Sequence, residues 1–289
     1  MRDEIREKIG RIGEKAISTQ FARNVIHQLK NNKIFTLVYS EIERIHAKKM
    51  LEEIKKRPVP THLAIIMDGN RRYALKEGLD PQEGHRKGKD KLEEVIEWSH
   101  EVGIKALTVY AFSTENFNRP KEEVDHLMKL FEEDLKKIAS DKRTHENKVR
   151  VKVIGQLERL PESVRKEAEK VMEQTKGYDK YYFNIAIGYG GREEIVDAVK
   201  KIAYDVKEGK MSPDEIKEEV ISSYLYTSDV PDPDLILRTS GEERISNFLL
   251  WQLAYSELYF SDVYWPALKK TDFLKVIQSY QRRQRRYGK

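Results

Sequence analysis

Six short apolar segments that alternate with helical segments constrain the fold of this chain more than any other feature. Continuous apolar runs of this length are typical of strands that are buried on both faces. The segments lie at 63–67, 106–112, 149–154, 181–187, 235–237 and 258–260. Helical periodicity covers 85–102, 121–146, 162–176, 191–208, 213–225, 245–256 and 271–285. This alternation predicts an α/β fold with a central, mostly parallel six-stranded sheet flanked by helices.

The first 57 residues differ in charge from the rest of the chain. They hold 14 Lys and Arg against 8 Asp and Glu, whereas the whole chain has a net charge of +5. Apolar stripes at helical spacing predict helices in this region, and Pro58 and Pro60 mark its end. We therefore predict a basic helical extension over 1–57 and a main domain over 58–289. The stripes are Ile5, Ile9, Ile12 and Ala16, then Ile34, Val38, Ile42 and Ile45.

Composition excludes several classes of protein. The chain has no cysteine, which excludes disulfide frameworks, thiolate zinc sites and cysteine nucleophiles. No apolar run approaches the roughly 18 residues of a spanning helix, and the charged first residues do not match a secretory signal. These features predict a cytoplasmic protein. The main domain is close to neutral, which argues against a nucleic-acid partner.

Polar or glycine-rich segments follow four of the predicted strands. Asp68 follows the first strand, 113–116 the second, 188–192 the fourth and 238–241 the fifth. Ligands of parallel sheets bind beyond the carboxyl ends of the strands. All four segments are therefore expected at one edge of the sheet.

Asp68 begins the most informative of these segments. A carboxylate that holds Mg²⁺ beside two guanidiniums fits a magnesium-bound diphosphate. Two alternatives remain, an ordinary Asp-Gly turn and a phosphohydrolase nucleophile. The second is weakened because such sites usually carry another Asp two residues on, where this chain has Asn70. After Asp68 come Gly69, Asn70, Arg71, Arg72 and Tyr73.

Other motifs have the chemistry to bind anions or a metal, and each also has a simpler structural explanation. His85, between Gly84 and Gly88, is predicted at a helix start that attracts anions, or in a solvated cap. Arg238, Arg244 and Ser246 fit a second diphosphate without a metal, or surface ion pairs. Glu257 lies in an apolar stretch, where it is a metal ligand or a structural ion-pair partner. The loop at 113–120 has hydroxyls and amides that ordinary turn chemistry explains, but Phe117 and the Arg119-Pro120 pair are less usual in a turn.

Together these segments resemble the cis-prenyltransferases, the undecaprenyl and dehydrodolichyl diphosphate synthases, over residues 60–289. The matching runs lie at 62–72, 107–120, 189–192, 235–241 and 244–262. The Asn-Arg-Arg-Tyr form of 70–73 is closer to archaeal and eukaryotic members. The resemblance implies a transferase that condenses an allylic diphosphate with successive isopentenyl diphosphates. Its expected product is a long-chain (Z)-polyprenyl diphosphate, a precursor of lipid carriers.

The resemblance also implies roles for individual residues of a catalytic domain over 58–289. Asp68 and Asn116 are expected to be catalytic, and Asp68 and Glu257 to hold Mg²⁺. Because the growing chain would be hydrocarbon, an apolar tunnel is also expected, with two readings for its candidate residues: they form its wall, or they pack in the core. These residues are Val109, Ala111, Leu127, Leu130 and Phe131. The implied substrate-binding residues are Gly69, Asn70, Arg71, Arg72, Tyr73, His85, Ser113, Thr114, Glu115, Phe117, Arg119, Glu123, Arg238, Arg244 and Ser246.

Two positions depart from the family pattern. Pro81 replaces an Arg of many members, and Glu243 replaces a His of some bacterial ones. The resemblance implies a homodimer, to which the terminal Arg286-Tyr-Gly288 contributes. The basic extension is expected either to rest on an anionic membrane surface or to pack against protein. The product length and the preferred primer are not determined by the sequence. Two alternatives also stay open: prenyl transfer to a different phosphorylated acceptor, and a role as the non-catalytic subunit of a heteromeric synthase.

Overall fold

The computed structural model describes residues 33–283, with side chains from residue 40 onward. The predicted stripe from Ile5 to Ala16 and the terminal Arg286-Tyr-Gly288 lie outside the described residues.

The described chain divides into two compact units. One holds 33–59 and 269–283 and contains two helices that pack on each other, α1 (Lys33–Ile54) and α9 (Lys270–Arg282). Within it the Gln281 side chain donates to the carbonyl of Ile54 at 2.9 Å. The other unit spans 60–268 and contains the sheet. A boundary at 57–58 stays a prediction, and the last helix belongs to the same unit as α1.

Six parallel strands form the sheet, in the spatial order β3-β4-β2-β1-β5-β6. The fold prediction is therefore confirmed, and the sheet is parallel throughout. Every residue of β1 is buried, so helices or loops cover both of its faces. The strands are β1 (His62–Ile66), β2 (Ala106–Ser113), β3 (Val149–Ile154), β4 (Tyr181–Tyr189), β5 (Leu235–Arg238) and β6 (Glu257–Phe260).

Helices connect these strands, and four of them differ from the prediction. A short helix after Gly69 is not predicted from the sequence, and the helix predicted from 85 begins at Pro81, capped by Asp80. The predicted helix 121–146 is broken at Asp141, which caps a separate short helix. The helix predicted at 213–225 is preceded by a separate 3₁₀ turn, Pro213–Glu215. The helices are α2 (Asn70–Lys76), α3 (Pro81–Val102), α4 (Lys121–Ser140), α5 (Lys142–Glu146), α6 (Glu162–Thr175), α7 (Gly191–Lys207) and α8 (Glu218–Tyr224).

The helix predicted at 245–256 is wrong. Ser246, Asn247 and Leu249 all have positive φ angles, which no α-helix accommodates. Only a 3₁₀ turn, Gln252–Tyr255, forms in this stretch. Across the described helices, none has the length and apolar character needed to cross a membrane.

A buried polar row crosses three strands of the sheet. The imidazole of His62 is fully buried, and its Nδ1 lies 2.6 Å from the carbonyl of Pro231. Since a carbonyl only accepts, Nδ1 carries the proton, and Nε2 accepts from the Thr108 hydroxyl at 2.7 Å. Asn184 donates to the same hydroxyl oxygen at 3.1 Å. Burial lowers the pKa of His62 to about 4, so the ring is neutral in the folded protein.

This neutral histidine predicts a loss of stability in mild acid. Above pH 6.5 the ring is neutral in both the folded and unfolded states. As the pH falls from 6.5 to about 4, only the unfolded state binds the proton, and His62 lowers the free energy of unfolding by about 3 kcal/mol. Urea unfolding at several pH values, with NMR titration of the His62 ring, measures this. Protonation of the folded ring near pH 6.5 would contradict the prediction.

Candidate active site

Asp68 lies just beyond the carboxyl end of β1, as predicted. Its backbone N–H donates to the carbonyl of Ile66 and to the Thr239 hydroxyl, both at 3.0 Å. The same hydroxyl donates to the backbone carbonyl of Asp68 at 2.7 Å. Thr239 follows β5, which pairs with β1. The backbone of the acid is therefore fixed by the neighbouring strand.

Two arginines bracket the carboxylate of Asp68. Arg238 donates to one of its oxygens at 2.8 Å, and Arg72 to the other at 3.0 Å. Burial alone would raise the pKa of Asp68, but the two guanidiniums outweigh it and keep that pKa below its ordinary value. The acid is thus ionised and able to bind a cation.

Gly69 joins Asp68 to α2 through a tight turn. Its φ is +104°, and a Cβ there would lie 2.9 Å from Ser240 and from the Tyr264 ring. Ser240 accepts a hydrogen bond from Arg72 at 2.7 Å, so the same approach positions that arginine. Only glycine fits this position without displacing its neighbours.

Arg238, Arg244 and Ser246 come together beyond β5. Arg238 is only 4% exposed and donates to the Ser246 hydroxyl at 2.8 Å and to the carbonyl of Arg244. The Arg244 side chain is exposed and pairs with Glu242. Glu242 also accepts from Arg72 at 2.7 Å, which links this group to Asp68.

Glu123 contacts two arginines and a histidine at the start of α4. It accepts from Arg119 at 3.0 Å and from Arg71 at 3.4 Å, and His85 lies 3.6 Å away. Burial lowers the pKa of His85, against the opposing effect of Glu123. The structure thus brings together four residues that the resemblance assigns to substrate binding.

His85 is not at a helix start, so the reason given for that prediction is wrong. The helix begins at Pro81, and Gly84 and Gly88 serve close packing instead. A Cβ on Gly84 would lie 2.3 Å from the Asn70 carbonyl, and one on Gly88 would lie 2.4 Å from the Asn70 Oδ1. The glycines therefore let α3 approach the segment that follows Asp68.

The loop after β2 is a 3₁₀ turn, Thr114–Asn118, anchored at both ends. Asn116 Oδ1 accepts the Ser113 N–H at 3.0 Å, and Thr114 donates to Glu193 at 3.2 Å. Asn247 donates to Glu115 at 3.4 Å and to Glu193 at 3.1 Å. The loop is therefore tied to the segment that contains Ser246.

Phe117 and Tyr73 complete the predicted set. The Phe117 ring contacts Phe112 edge-on at 4.9 Å, and the Arg159 guanidinium lies 4.3 Å from its centre. Tyr73 is half-buried on the first turn of α2.

An apolar cavity of about 420 Å³ extends away from this edge of the sheet. Met67 and Asn70, on either side of the Asp68–Gly69 pair, line it. Four of the predicted wall residues line this cavity, whereas Val109 is buried in the core and does not. The four are Ala111, Leu127, Leu130 and Phe131.

Glu257 does not lie near Asp68 in this chain. It begins β6 and is in register with Leu235, which pairs with Leu63 at the opposite end of β1. Five residues of strand separate Leu63 from Asp68, which is about 16 Å. One chain by itself therefore does not join Glu257 and Asp68 at one metal ion.

Several residues of the site are not predicted from the sequence. The sequence does not show that Glu242, rather than the exposed Glu243, contacts the arginines of the site. Pro81, the other position that departs from the family pattern, begins a helix at the surface. The Glu-Glu-Arg run was the available signal, but it does not say which carboxylate faces Arg72. Thr239, Ser240, Glu193 and Asn247 act through contacts that local sequence does not reveal.

Gly69 gives a test with a matched control. Gly69→Ala is expected to lower the unfolding temperature and the activity, because strain and overlap with Ser240 and Tyr264 add together. Gly78→Ala, at the other end of α2, has φ +68° but open space around its Cβ. It should lower the free energy of unfolding by only about 1–2 kcal/mol, the cost of the left-handed conformation alone, and leave activity unchanged. Equal effects in thermal unfolding and activity assays would contradict this account of Gly69.

Comparison with known proteins agrees with this geometry. Residues 66–288 match a family described as "Putative undecaprenyl diphosphate synthase". A tritrans,polycis-undecaprenyl-diphosphate synthase (geranylgeranyl-diphosphate specific) of Picrophilus torridus is 58% identical over 247 residues, 86% of this chain and 97% of its own. A protein of the same name from Pyrococcus furiosus is 54% identical over 245 residues, 85% of this chain and 93% of its own.

A solved structure is also similar. Lavandulyl diphosphate synthase from Lavandula x intermedia, in complex with dimethylallyl diphosphate, has a TM-score of 0.75 and 37% identity. The match covers 82% of this chain and all of the lavender protein. By family match, sequence identity and fold, this chain belongs to the undecaprenyl diphosphate synthase family of cis-prenyltransferases.

Proposed function

We propose that this enzyme extends an allylic diphosphate by successive condensations with isopentenyl diphosphate. The names of the archaeal relatives favour geranylgeranyl diphosphate as the primer and a product of undecaprenyl length, a lipid-carrier precursor. One observation carries the proposal: an arginine-bracketed carboxylate stands beside an apolar cavity. That pairing suits a molecule with a diphosphate head and a hydrocarbon tail.

Two groups of residues, mostly arginines, would bind the two diphosphates. Arg71 and Arg72, with the backbone that follows Asp68, form the first, and Arg238, Arg244 and Ser246 form the second. Carboxylates hold several of these cations now: Arg72 and Arg244 pair with Glu242, and Arg71 pairs with Glu123. A diphosphate carries more charge and more acceptor oxygens than one carboxylate, so it can replace them.

The residues around the reacting carbons act by charge and position. In each condensation the allylic carbon–oxygen bond breaks, a carbon–carbon bond forms, and a proton leaves the isopentenyl unit. Arg72 would stabilise the negative charge that builds up on the departing diphosphate. Asn116 already accepts the Ser113 N–H, so we assign it to ordering the loop, and the released diphosphate to accepting the proton.

The cavity favours elongation because the growing chain is hydrocarbon. Burial of each five-carbon unit stabilises the complex by about 4 kcal/mol at roughly 0.8 kcal/mol per carbon group. A transfer to another phosphorylated acceptor would use the same arginines, and product analysis distinguishes the two.

Asp68 fits a magnesium ion that arrives with a diphosphate. Mg²⁺ commonly binds one or two protein carboxylates together with substrate phosphates and water. Among the described residues no group of three or more His, Asp or Glu forms a complete protein cage. Bound there, the ion would neutralise diphosphate charge as a Lewis acid. A homodimer and a membrane contact of the basic extension stay proposals that rest on the resemblance and on charge.

Asp68→Asn tests the centre of the proposal. We expect the rate of isopentenyl incorporation to fall about 10²–10³-fold, as for loss of one key electrostatic contact. Asp90→Asn, on the exposed side of α3, is the control and should keep full activity. Labelled isopentenyl diphosphate with primers of three lengths gives both rate and product. Undiminished turnover by Asp68→Asn would overturn the proposal.

Magnesium dependence is a separate test. Dialysis against a chelator should abolish product formation, and added Mg²⁺ should restore it in the wild type. In Asp68→Asn the Mg²⁺ concentration for half-maximal rate should rise, because one ligand has lost its charge. A chelator-treated enzyme that keeps its rate would contradict the metal assignment.

A further inference from the structure

The Tyr110 hydroxyl contacts the backbone of the second group of diphosphate-binding residues. Tyr110 is buried near the end of β2, and its hydroxyl donates to the carbonyl of Ser246 at 3.2 Å and to that of Tyr189 at 3.1 Å. Tyr189 ends β4 and Ser246 follows β5, two strands that β2 and β1 separate in the sheet. The hydroxyl therefore joins two segments that the strand ladder does not hold together.

Packing alone does not explain a tyrosine at this position. Its ring stacks on Phe248 at 4.5 Å between centroids, and the Tyr189 ring meets it edge-on at 5.9 Å. A phenylalanine would make both of these ring contacts. Burial, and after it the nearby Glu115, raises the pKa of Tyr110 well above its ordinary value, so the hydroxyl keeps its proton. The tyrosine thus adds a permanent hydrogen-bond donor against two backbone carbonyls.

The backbone that receives this hydrogen bond is strained. Ser246 has φ +49°, Asn247 +62° and Leu249 +45°, all in the left-handed region. That region costs free energy for every residue with a Cβ, and it persists only where neighbouring groups enforce it. The conformation of this segment therefore depends on contacts with the rest of the protein.

Two sets of contacts hold the peptide between Ser246 and Asn247. On one side the Asn247 carbonyl accepts the Gly191 N–H at 2.7 Å, and the Asn247 side chain accepts the Arg192 N–H at 3.0 Å. On the other side the Ser246 carbonyl accepts from Tyr110. Because a peptide unit is planar, fixing its carbonyl sets the rotation of both adjoining residues. That rotation directs the Ser246 hydroxyl, which accepts from Arg238 at 2.8 Å.

The two diphosphates are distinguished by the cavity. Met67 and Asn70 line it beside the first group, so that group suits the allylic diphosphate with its long tail. The second group, which contains Ser246, then receives the isopentenyl diphosphate.

We propose that Tyr110 is a positioning residue for isopentenyl diphosphate, which it affects by holding the Ser246 hydroxyl against Arg238. The inference rests on the proposed function and assigns a role to a side chain in neither diphosphate-binding group. Tyr110 itself touches no substrate. It keeps a strained segment in the one conformation that presents Ser246 and Arg238 together.

Tyr110→Phe tests this role, because the variant keeps the ring contacts and loses only the hydroxyl. The KM for isopentenyl diphosphate should rise about three- to tenfold, the effect of one hydrogen bond. The kcat and the KM for the allylic diphosphate should change at most about twofold, since Arg238 keeps its contacts with Asp68 and the Arg244 carbonyl.

Tyr226→Phe is the matched control. The Tyr226 ring packs on the same core, but its hydroxyl donates to Asp197, at 2.5 Å, instead of to the site. The control should leave both KM values unchanged, and thermal unfolding of both variants reports any general loss of stability.

A double variant tests whether Tyr110 acts through Ser246. Ser246→Ala should raise the KM for isopentenyl diphosphate at least as much as Tyr110→Phe does. Adding Tyr110→Phe to Ser246→Ala should raise it no further, because there is no longer a hydroxyl to position. Additive effects of the two changes would overturn the inference.

The outcomes separate this inference from the proposed function. If the wild type extends no allylic diphosphate, or if Ser246→Ala leaves the KM for isopentenyl diphosphate unchanged, the proposed function fails and the inference with it. If Ser246→Ala raises that KM and Tyr110→Phe does not, or Tyr110→Phe raises both KM values equally, only the inference fails. Should Tyr110→Phe not fold, Phe248→Leu removes the ring stacked on Tyr110 and must raise the same KM. An unchanged KM in that variant overturns the inference.

Discussion

The contact between Asp68 and the buried guanidinium of Arg238 is the interaction on which the rest of the site depends. With 4% of its surface exposed, Arg238 must find its partners inside the protein, and Asp68, Ser246 and the Arg244 carbonyl provide them. Removing one partner of such a pair typically costs about 3–5 kcal/mol. The two groups of residues that would bind the diphosphates are therefore joined through the Arg238 side chain, and a change in one group affects the other.

The site is arranged before any diphosphate binds, because its carboxylates already hold the cations in place. Glu242 orients Arg72 and Arg244, and Glu123 gathers Arg71 and Arg119. Arginines left without partners would repel one another and adopt many rotamers. Pairing them in advance reduces the ordering that binding would otherwise require.

The fold and the edge of the site could be predicted because they depend on local pattern. Strands buried on both faces are continuously apolar, and parallel strands bring their carboxyl ends together. Contacts between distant segments were not predictable. Helix α2 begins at the Asn of an Asp-Gly-Asn sequence that is equally common in turns. Leu249 has helix-like spacing with Leu253, yet it reaches the core with Phe248 from an irregular loop. Glu257 has the right chemistry for a metal, but the register places it at the other end of the sheet.

Asp141 ends one helix and caps the next, and this has a consequence for how such an enzyme changes during evolution. Asp141 and Arg143 line the far part of the cavity, so its depth depends on how many residues precede that cap. Insertion of one full turn before it would displace the floor by about 5.4 Å while leaving the catalytic edge untouched. Insertions or deletions before Asp141 can therefore make the cavity of a related enzyme deeper or shallower, with no substitution among the residues that bind phosphate.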